Sequence, residues 1–274
     1  MEFIDCKSIA QKWKDEVKAH GIKAKFYVLQ VGDDPASTTY INGKIKDAQE
    51  VGFECVHIHI PATTREQVYH EVCVKLEKLK YSMEADGVIL QLPLPFGLTM
   101  NDFKDHMNPD KDVDGFLTDS PFAPCTPDGI MQMLNEIGVS TEGALCVIAG
   151  RSDIVGKPMA HLMTDANATV CLCHSFTDRK QLEELAKKAD IFVSAVGKPD
   201  FISSSLFKKG AVVIDVGINR TEDKLCGDIS IDKTNTKNTL ITPVPGGVGL
   251  LTRAMLMQHI LRAYEKYHIW RKAL

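Results

Sequence analysis

The sequence predicts an α/β fold with parallel sheets, divided into two domains with a cleft between them. Helical segments alternate with short apolar runs, as expected when a crossover helix follows each strand. The run Gly87–Leu92 is almost wholly apolar, which is typical of a strand covered on both faces of a parallel sheet. Near the middle of the chain, the stretch from Leu145 to Met163 reads as strand, glycine-bearing turn and helix.

In the first half of the chain, hydrophobic periodicity and capping residues define the elements. Asp34 followed by Pro35 is a strong helix start, with Asp34 as N-cap, and Gly52 is expected to stop that helix. Alternation along the next strand places His57 and His59 together on a solvated face. The predicted elements are helix 8–19, strand 25–31, helix 35–51, strand 53–60, helix 65–80, strand 87–92 and a short helical stretch at 99–106.

A turn-rich link, NPDKDVDGFLTDSPFAPCTPDG, then marks the boundary between the domains. We predict one domain at residues 1–116 together with 250–274, and the other at residues 117–249. The predicted elements after the link are helix 128–137, strand 145–149, helix 159–163, strand 168–173, helix 180–188, strand 190–196, strand 211–216 and a final helix at about 251–267.

Composition excludes several classes of function. The chain has 274 residues, 44% of them hydrophobic and 25% charged, as in an ordinary globular protein. A net charge of −4 gives no general electrostatic reason to bind nucleic acid or an anionic membrane. No apolar run is long enough to span a bilayer, and the N-terminus lacks the apolar core of a secretory signal.

The cysteines indicate a reducing compartment and no metal site. Of the 8 cysteines, most lie inside apolar runs, and no CxxC pair occurs. The tract Cys171-x-Cys173-His174 resembles a metal-binding tract, but alternation along a strand separates Cys173 from His174 on opposite faces. We therefore expect free thiols in the cytoplasm and no bound metal.

The central strand, turn and helix predict a dinucleotide site. Such a turn presents backbone N–H groups and a helix dipole to a phosphate, although Gly150 and Gly156 depart from the three-glycine fingerprint. A tight connection in any α/β protein would place glycines here too. No acid follows the second strand until Asp178, whereas Arg151 and Ser175 are suited to a 2′-phosphate. This pattern favours NADP over NAD.

Four polar residues are candidates for catalysis. Tyr40 and Lys44 are spaced i and i+4, so they share one helix face, and a lysine beside a phenol can shuttle protons. A surface lysine passing a tyrosine would show the same spacing. Gln91 interrupts an apolar strand, where a buried amide needs partners. Asp114 lies just before the domain boundary, where a cleft would open, although Asp114-Gly115 also fits a simple turn.

Six motifs, taken in order along nearly the whole chain, closely resemble one family. That family is the bifunctional methylenetetrahydrofolate dehydrogenase/methenyltetrahydrofolate cyclohydrolase. The motifs are PASTTY at 35–40 with Lys44, QLPLP at 91–95, DVDGF at 112–116, PCTP at 124–127, GRSxxVGxP at 150–158 and PVPGGVG at 243–249.

The resemblance implies a role for each matched position. It places folate in the N-terminal domain, joined by the last helix, and NADP in a Rossmann-like middle domain. Lys44 would be the catalytic lysine, Tyr40 would stack near the pterin, Gln91 would support Lys44, and Asp114 would hydrogen-bond the pterin. The resemblance places Gly150, Arg151, Ser152, Ser175 and Ile218 against NADP, and Leu92 and Pro245, Gly246, Gly247, Val248 and Gly249 on the folate side.

The same resemblance implies the reaction and the assembly. Hydride would pass from the methylene carbon of the folate to NADP, and hydrolysis of the methenyl product would give formyltetrahydrofolate. A small-molecule folate substrate and a homodimer are expected with it, and a cytoplasmic location is expected from the cysteine pattern. Two departures stand out: Leu250-Leu251 replaces the usual Pro-Met, which should loosen a loop beside the folate, and the segment between 116 and 124 is shorter than usual.

Two alternatives stay open at this point. A different NADP-dependent dehydrogenase with the same domain plan would leave the Tyr40–Lys44 pair and Gln91 unexplained. A degenerate relative that binds NADP or folate as a sensor would fit the two departures, but the intact Lys44 argues against it.

Overall fold

In the computed structural model, the described residues are 1–221, 225–232 and 239–273, with the side chains of 267 and 269–273 left aside. The α-helices are α1 Cys6–Ala19, α2 Pro35–Val51, α3 Arg65–Lys80, α4 Cys125–Glu136, α5 Gly156–Asp165, α6 Arg179–Lys188 and α7 Val248–Ala273. Short 3₁₀ turns occur at Pro95–Gly97, Met100–Asp102, Lys104–His106, Pro109–Lys111 and Ser204–Leu206.

The strands are shorter than the helices. They are β1 Glu2–Phe3, β2 Lys25–Val31, β3 Glu54–Ile60, β4 Gly87–Leu90, β5 Leu145–Ala149, β6 Thr169–Cys173, β7 Ile191–Ser194, β8 Ile202–Ser203, β9 Val212–Asp215, β10 Asn219–Arg220, β11 Leu225–Cys226, β12 Ile229–Ser230 and β13 Leu240–Ile241.

The chain divides into two compact units. One consists of Met1–Gln11 with Thr126–Thr252, and the other of Lys12–Cys125 with Arg253–Leu274. We call them the 126–252 unit and the 12–125 unit. The domain bounds that we drew from the sequence, 1–116 with 250–274 and 117–249, stay a prediction.

The 126–252 unit is built on a parallel sheet. Across its described residues, six strands pair in the order β1-β13-β9-β7-β5-β6, and every neighbouring pair is parallel. The central strands β5, β7 and β9 are apolar and nearly fully buried, because helices cover both faces of such a sheet. Its core is continuous through Val147, Phe192, Phe207 and Val213.

The 12–125 unit has a smaller parallel sheet, with strand order β3-β2-β4 in the described part. The buried stripe of α3 covers it with the residues expected from the sequence, Val68, Val72, Leu76 and Leu79. His57 and His59 lie exposed on the edge strand β3, as their alternation predicted. The predicted α/β class with parallel sheets is therefore confirmed.

Helix and strand bounds follow the local signals closely. Asp34 caps α2 by accepting a hydrogen bond from the N–H of Ser37, Pro35 is its first residue, and Gly52 ends it with a left-handed backbone at φ 90°. The bounds of α2, α3, β2 and β5 agree with the predictions. The strands of two residues were not predicted, because two residues show no hydrophobic periodicity. These strands are β1, β8, β10, β11, β12 and β13.

Some predicted bounds were wrong by a few residues. α4 begins at Cys125 rather than at Asp128, so the turn-rich link ends sooner than its composition suggested. α7 begins at Val248 rather than near Leu251, and the glycines before it concealed that start. The predicted strand 87–92 ends at Leu90. The stretch 99–106 forms two 3₁₀ turns. Among the described helices, none combines the length and apolar character needed to cross a membrane.

Candidate active site

Helix α2 carries the predicted catalytic pair and is held firmly in the 12–125 unit. Its buried Asp47 forms ion pairs with Lys14, at 3.2 Å, and with Arg253, at 3.1 Å. The side chain of Arg253 lies against Gly43, where any Cβ would collide with the guanidinium. These contacts fix the helix one turn from Lys44, which leaves the lysine little freedom to swing away.

Lys44 lies almost wholly out of solvent, with a relative exposure of 3%. Its Nζ donates to Gln91 Oε1 and to Asp114 Oδ2, each at 3.2 Å. The same Nζ lies 6.0 Å from the ring centre of Tyr40, within range of a cation–π contact. The structure thus brings together the four residues that the sequence proposed as a catalytic group, and the interpretation of Lys44 as a surface lysine is wrong.

Gln91 differs from its prediction in burial. It follows β4 rather than lying inside it, and it is half-buried. The strand cannot continue, because Pro93 and Pro95 have no N–H to donate to a sheet. The Nε2 of Gln91 donates to the carbonyl of the half-exposed Leu92 at 2.8 Å, which leaves its Oε1 directed at Lys44. The amide therefore orients the ammonium at the carboxyl end of the strand.

Asp114 lies on a loop that several contacts clamp in place. The carbonyl of the preceding Val113 accepts from the buried His259 Nδ1 at 2.9 Å and from Cys125 Sγ at 3.2 Å. Gly115 has φ +73°, and a Cβ there would collide with the backbone of Ala123. Since both neighbours of Asp114 are fixed, its carboxylate is held beside Lys44 without needing further side-chain partners.

Asp112 is a buried acid that the sequence reasoning missed. Its Oδ2 accepts from the N–H of Leu117 at 2.7 Å, and its carbonyl accepts from Ser120 Oγ at 3.1 Å. Burial, and secondarily the charge of Asp114, raises the pKa of Asp112 to about 7. The motif DVDG contains two acidic residues, and the sequence prediction considered only the second, Asp114, as a candidate.

The turn between β5 and α5 in the 126–252 unit needs both of its glycines. Gly150 has φ +118°, and a Cβ there would collide with the carbonyl of Ala195. A Cβ on Gly156 would collide in turn with the carbonyl of Gly150. Close packing of backbone on backbone thus explains the spacing of these glycines. Ser152 Oγ accepts from the N–H groups of Val155 and Gly156, at 3.2 and 3.4 Å, so it shapes the turn.

The residues proposed for the NADP phosphate are exposed. Arg151 and Ser175 both face solvent, and the Arg151 guanidinium lies 5.6 Å from the ring centre of the exposed Phe176. Asp178 caps α6 by accepting from the N–H groups of Lys180 and Gln181, so the first acid after β6 already has a structural role. An exposed guanidinium, a hydroxyl and a glycine turn at a helix N-terminus fit a phosphorylated dinucleotide.

The glycine-rich segment before α7 is also tightly packed. A Cβ on Gly247 would collide with the carbonyl of Pro243, and the N–H of Leu250 donates to Gly247 O at 3.0 Å. Leu250 and Leu251 lie in the first turn of α7, where Leu251 is fully buried. The expectation that these two leucines loosen a loop is therefore wrong, because they belong to a helix.

In the part of the chain that the structure describes, no group of His, Cys, Asp and Glu side chains is able to hold a metal ion. The eight cysteines all lie within the described residues, and each is a thiol rather than half of a disulfide. Cys173 is buried whereas His174 is half-buried, and the N–H of His174 donates to Thr177 Oγ1 at 2.9 Å.

A glycine turn at a parallel sheet and a buried lysine held by an acid and an amide are typical of a nucleotide-dependent α/β enzyme. Family models agree over almost the entire chain. Residues 4–114 match the catalytic domain of tetrahydrofolate dehydrogenase/cyclohydrolase, and residues 124–268 match its NAD(P)-binding domain. The chain belongs to the tetrahydrofolate dehydrogenase/cyclohydrolase family.

Individual relatives cover the chain nearly end to end. The bifunctional protein FolD of Agathobacter rectalis is 44% identical, over 96% of this chain and 99% of that protein. The crystal structure of the bifunctional enzyme FolD from Campylobacter jejuni is 35% identical with a TM-score of 0.90, over 97% and 99% of the two chains. The Trypanosoma brucei dehydrogenase-cyclohydrolase, complexed with NADP cofactor and inhibitor, is 28% identical with a TM-score of 0.88, over 96% and 97%.

The raised pKa of Asp112 predicts a pH dependence of folding stability. Its folded-state pKa of about 7 exceeds the ordinary value of 3.8, so the folded state binds the proton more tightly. Its contribution to stability is therefore greatest at acidic pH and is lost as the pH rises from about 4 to about 7. Each pKa unit corresponds to about 1.4 kcal/mol. Asp112→Asn should remove this loss, measured by urea unfolding at a series of pH values.

The exposed Asp119 on the same segment supplies a matched control. Asp119→Asn should keep the pH profile of the parent chain. A profile for Asp112→Asn that parallels the parent across the whole range would show that the Asp112 carboxyl titrates as it does in the unfolded chain.

Proposed function

We propose that this chain oxidises methylenetetrahydrofolate to methenyltetrahydrofolate with NADP, and then hydrolyses that product to formyltetrahydrofolate. Membership of the family and the NADP complex of the Trypanosoma brucei relative support the proposal. The observation that carries it is Lys44, a buried ammonium held at 3.2 Å by both an acid and an amide. A buried charge is costly unless paired, so such a site is more typical of chemistry than of stability.

The first step is the oxidation, in which NADP supplies the hydride acceptor. Hydride leaves the one-carbon methylene, and the folate nitrogens stabilise the methenyl cation that remains. No proton is transferred, so the protein contributes position rather than acid or base. In our proposal Tyr40 packs on the pterin and Asp114 hydrogen-bonds it. The half-exposed Leu92 and the segment of Pro245, Gly246, Gly247, Val248 and Gly249 are assigned to the folate side.

The second step is the hydrolysis, which needs proton transfer. Water adds to the cationic carbon, a C–N bond breaks, and one proton of the water reaches the departing nitrogen while the other is released. Lys44 is the group that we assign to this shuttle, because its Nζ is the positioned donor of the site. Asp114 and Gln91 hold the Nζ in one place, so Lys44 need not reorder its side chain before it acts.

NADP is assigned to the glycine turn of the 126–252 unit. Gly150 and Ser152 shape the turn at the start of α5, whose N-terminus favours a phosphate. Arg151 and Ser175, which the sequence pattern assigns to the 2′-phosphate, are exposed, and the exposed Ile218 borders the same edge of the sheet after β9. The Phe176 ring beneath the guanidinium restricts where Arg151 can lie.

In this proposal the main partner of the chain is a small molecule, the folate substrate. We assign neither nucleic acid nor a membrane as a further partner. A homodimer, expected from the family resemblance alone, and a cytoplasmic location, expected from the cysteine pattern, complete the proposal. Light scattering at micromolar concentration measures the mass of the assembly, and a monomer mass would contradict the dimer. Cell fractionation assigns the compartment, and recovery outside the cytoplasm would contradict that location.

Lys44→Gln tests the division between the two activities. A neutral side chain of similar length keeps the pocket filled but cannot shuttle a proton, a role worth roughly 10²–10⁴-fold. The variant should lose cyclohydrolase turnover and keep measurable dehydrogenase activity, so methenyltetrahydrofolate accumulates. NADPH and methenyltetrahydrofolate absorbance, followed separately, measure the two steps.

The exposed Lys46 on the same helix offers the control. Lys46→Gln should behave as the parent chain in both assays. If Lys44→Gln hydrolyses methenyltetrahydrofolate at the parent rate, after correction for the spontaneous reaction, then another group moves the proton.

Arg151→Ala tests the choice of cofactor. A charge-assisted contact to a phosphate contributes on the order of 1.5–3 kcal/mol, which corresponds to roughly 10–150-fold in affinity. The variant should therefore bind NADP much more weakly and bind NAD about as well as the parent does. Titration calorimetry with each nucleotide gives the two dissociation constants. Equal losses of affinity for NADP and NAD would mean that Arg151 does not contact the 2′-phosphate. The control variant is Lys187→Ala, which changes an exposed lysine of α6.

A further inference from the structure

Two buried acids in the 126–252 unit take no part in the chemistry described above. Asp215 is the last residue of β9 and is 3% exposed, while Asp228 lies between β11 and β12 and is 0% exposed. A buried carboxylate is costly unless donors surround it. Their hydrogen bonds therefore reveal what each acid does.

Asp228 gathers donors from two loops. Its Oδ2 accepts from the N–H groups of Val196 and Gly197, at 2.8 and 3.2 Å, and its Oδ1 from the N–H of Lys198 at 3.0 Å. Three successive backbone N–H groups thus converge on one carboxylate. Side chains add the hydroxyl of Ser194, at 3.0 Å, and the Nδ2 of Asn219, at 2.9 Å.

Asp215 holds Asp228 in place. Its Oδ1 accepts from the N–H groups of Gly217 and Asp228, each at 3.0 Å, and its Oδ2 from the N–H of Ile229 at 2.9 Å. The loop backbone lies directly against the two acids. A Cβ on Gly217 would collide with the Asp228 carboxylate, and a Cβ on Gly227 would collide with that of Asp215.

The loops that Asp228 fixes lie at the edge of the sheet where the dinucleotide is assigned. Residues 196–198 follow β7, and the loop 216–218 follows its parallel neighbour β9. β7 also pairs with β5, and the carbonyl of Ala195 packs against Gly150. In open parallel sheets, ligands bind beyond the carboxyl ends of strands. Asn219 anchors the exposed Ile218 from the following position.

We propose that Asp228 is a positioning residue for the dinucleotide, fixing the backbone of 196–198 and, through Asn219, the loop that presents Ile218. This inference rests on the proposed function, since it requires that the unit binds NADP. The acid acts from beneath the loops and does not touch the cofactor. Without it, converging N–H groups lose their acceptor and both loops must reorder before a nucleotide binds.

Asp228→Asn tests the proposal, because the amide keeps the shape but turns one acceptor into a donor. The dissociation constant for NADP, measured by titration calorimetry, should rise by roughly tenfold or more. In steady-state assays the KM for NADP should rise with it, while the KM for the folate stays near that of the parent chain. Hydrolysis of added methenyltetrahydrofolate, which consumes no nucleotide, should stay within about twofold of the parent rate.

Asp190→Asn is the matched control. Asp190 lies at the opposite end of β7 and accepts from the N–H of Leu145 at 2.8 Å and from Lys208. Its loss should lower the melting temperature without changing the dissociation constant for NADP. Asn219→Ala, which removes one of the donors of Asp228, should raise that constant several-fold, and it decides the question if Asp228→Asn does not fold.

The outcomes separate the two levels of the proposal. A parent chain that does not bind NADP would overturn the proposed function itself. A parent chain that binds NADP, with Asp228→Asn or Asn219→Ala binding it equally well, would overturn the positioning role alone. Equal loss of affinity in Asp190→Asn would also overturn it, because general destabilisation would then explain the effect.

Discussion

The buried pairing of Lys44 with Asp114 is the constraint on which the 12–125 unit depends. Removing an ammonium and a carboxylate from water costs several kcal/mol per ion, and their attraction offsets this only when the geometry is good. The loop 112–117, the amide of Gln91 and the anchoring of α2 through Asp47 all serve that geometry. Since buried ion pairs are often no more stable than well-packed apolar residues of similar volume, we interpret this pair as serving chemistry rather than stability.

The 126–252 unit also contains buried carboxylates, and there backbone N–H groups rather than a charged side chain donate to them. Loops at the ends of parallel strands leave N–H groups that no sheet partner accepts. Asp215 and Asp228 supply the acceptors, and glycines at 217 and 227 let the backbone approach them. Asp112 does the same for the N–H of Leu117 in the other unit. Buried acids thus order irregular backbone in both units, and the sequence reasoning overlooked all three.

Local signals carried the prediction of the fold. Caps and stops such as Asp34, Pro35 and Gly52 act within a few residues of themselves, so the bounds of α2 were readable. Where the local signal was weak, the predicted bounds were wrong. Glycines precede and enter the start of α7, so that start was predicted too late. The end of β4 depends on the prolines that follow it, so that strand was predicted too long. The short strands β8 and β12 form only by pairing with each other, although they are separated along the chain, and no local sequence pattern predicts that pairing.

The sequence by itself determined the α/β class, most helices and the two glycines of the turn before α5, and it proposed Tyr40, Lys44, Gln91 and Asp114 as the candidate catalytic group. These follow from periodicity, capping and motif spacing, which are properties of neighbouring residues. Tertiary structure alone decided that Lys44 is buried, that Asp114 is its partner beside Gln91, which the resemblance already implied, and that Asp228 joins two loops. Burial and pairing between residues tens of positions apart arise when strands and helices pack, because only packing removes water and sets those distances.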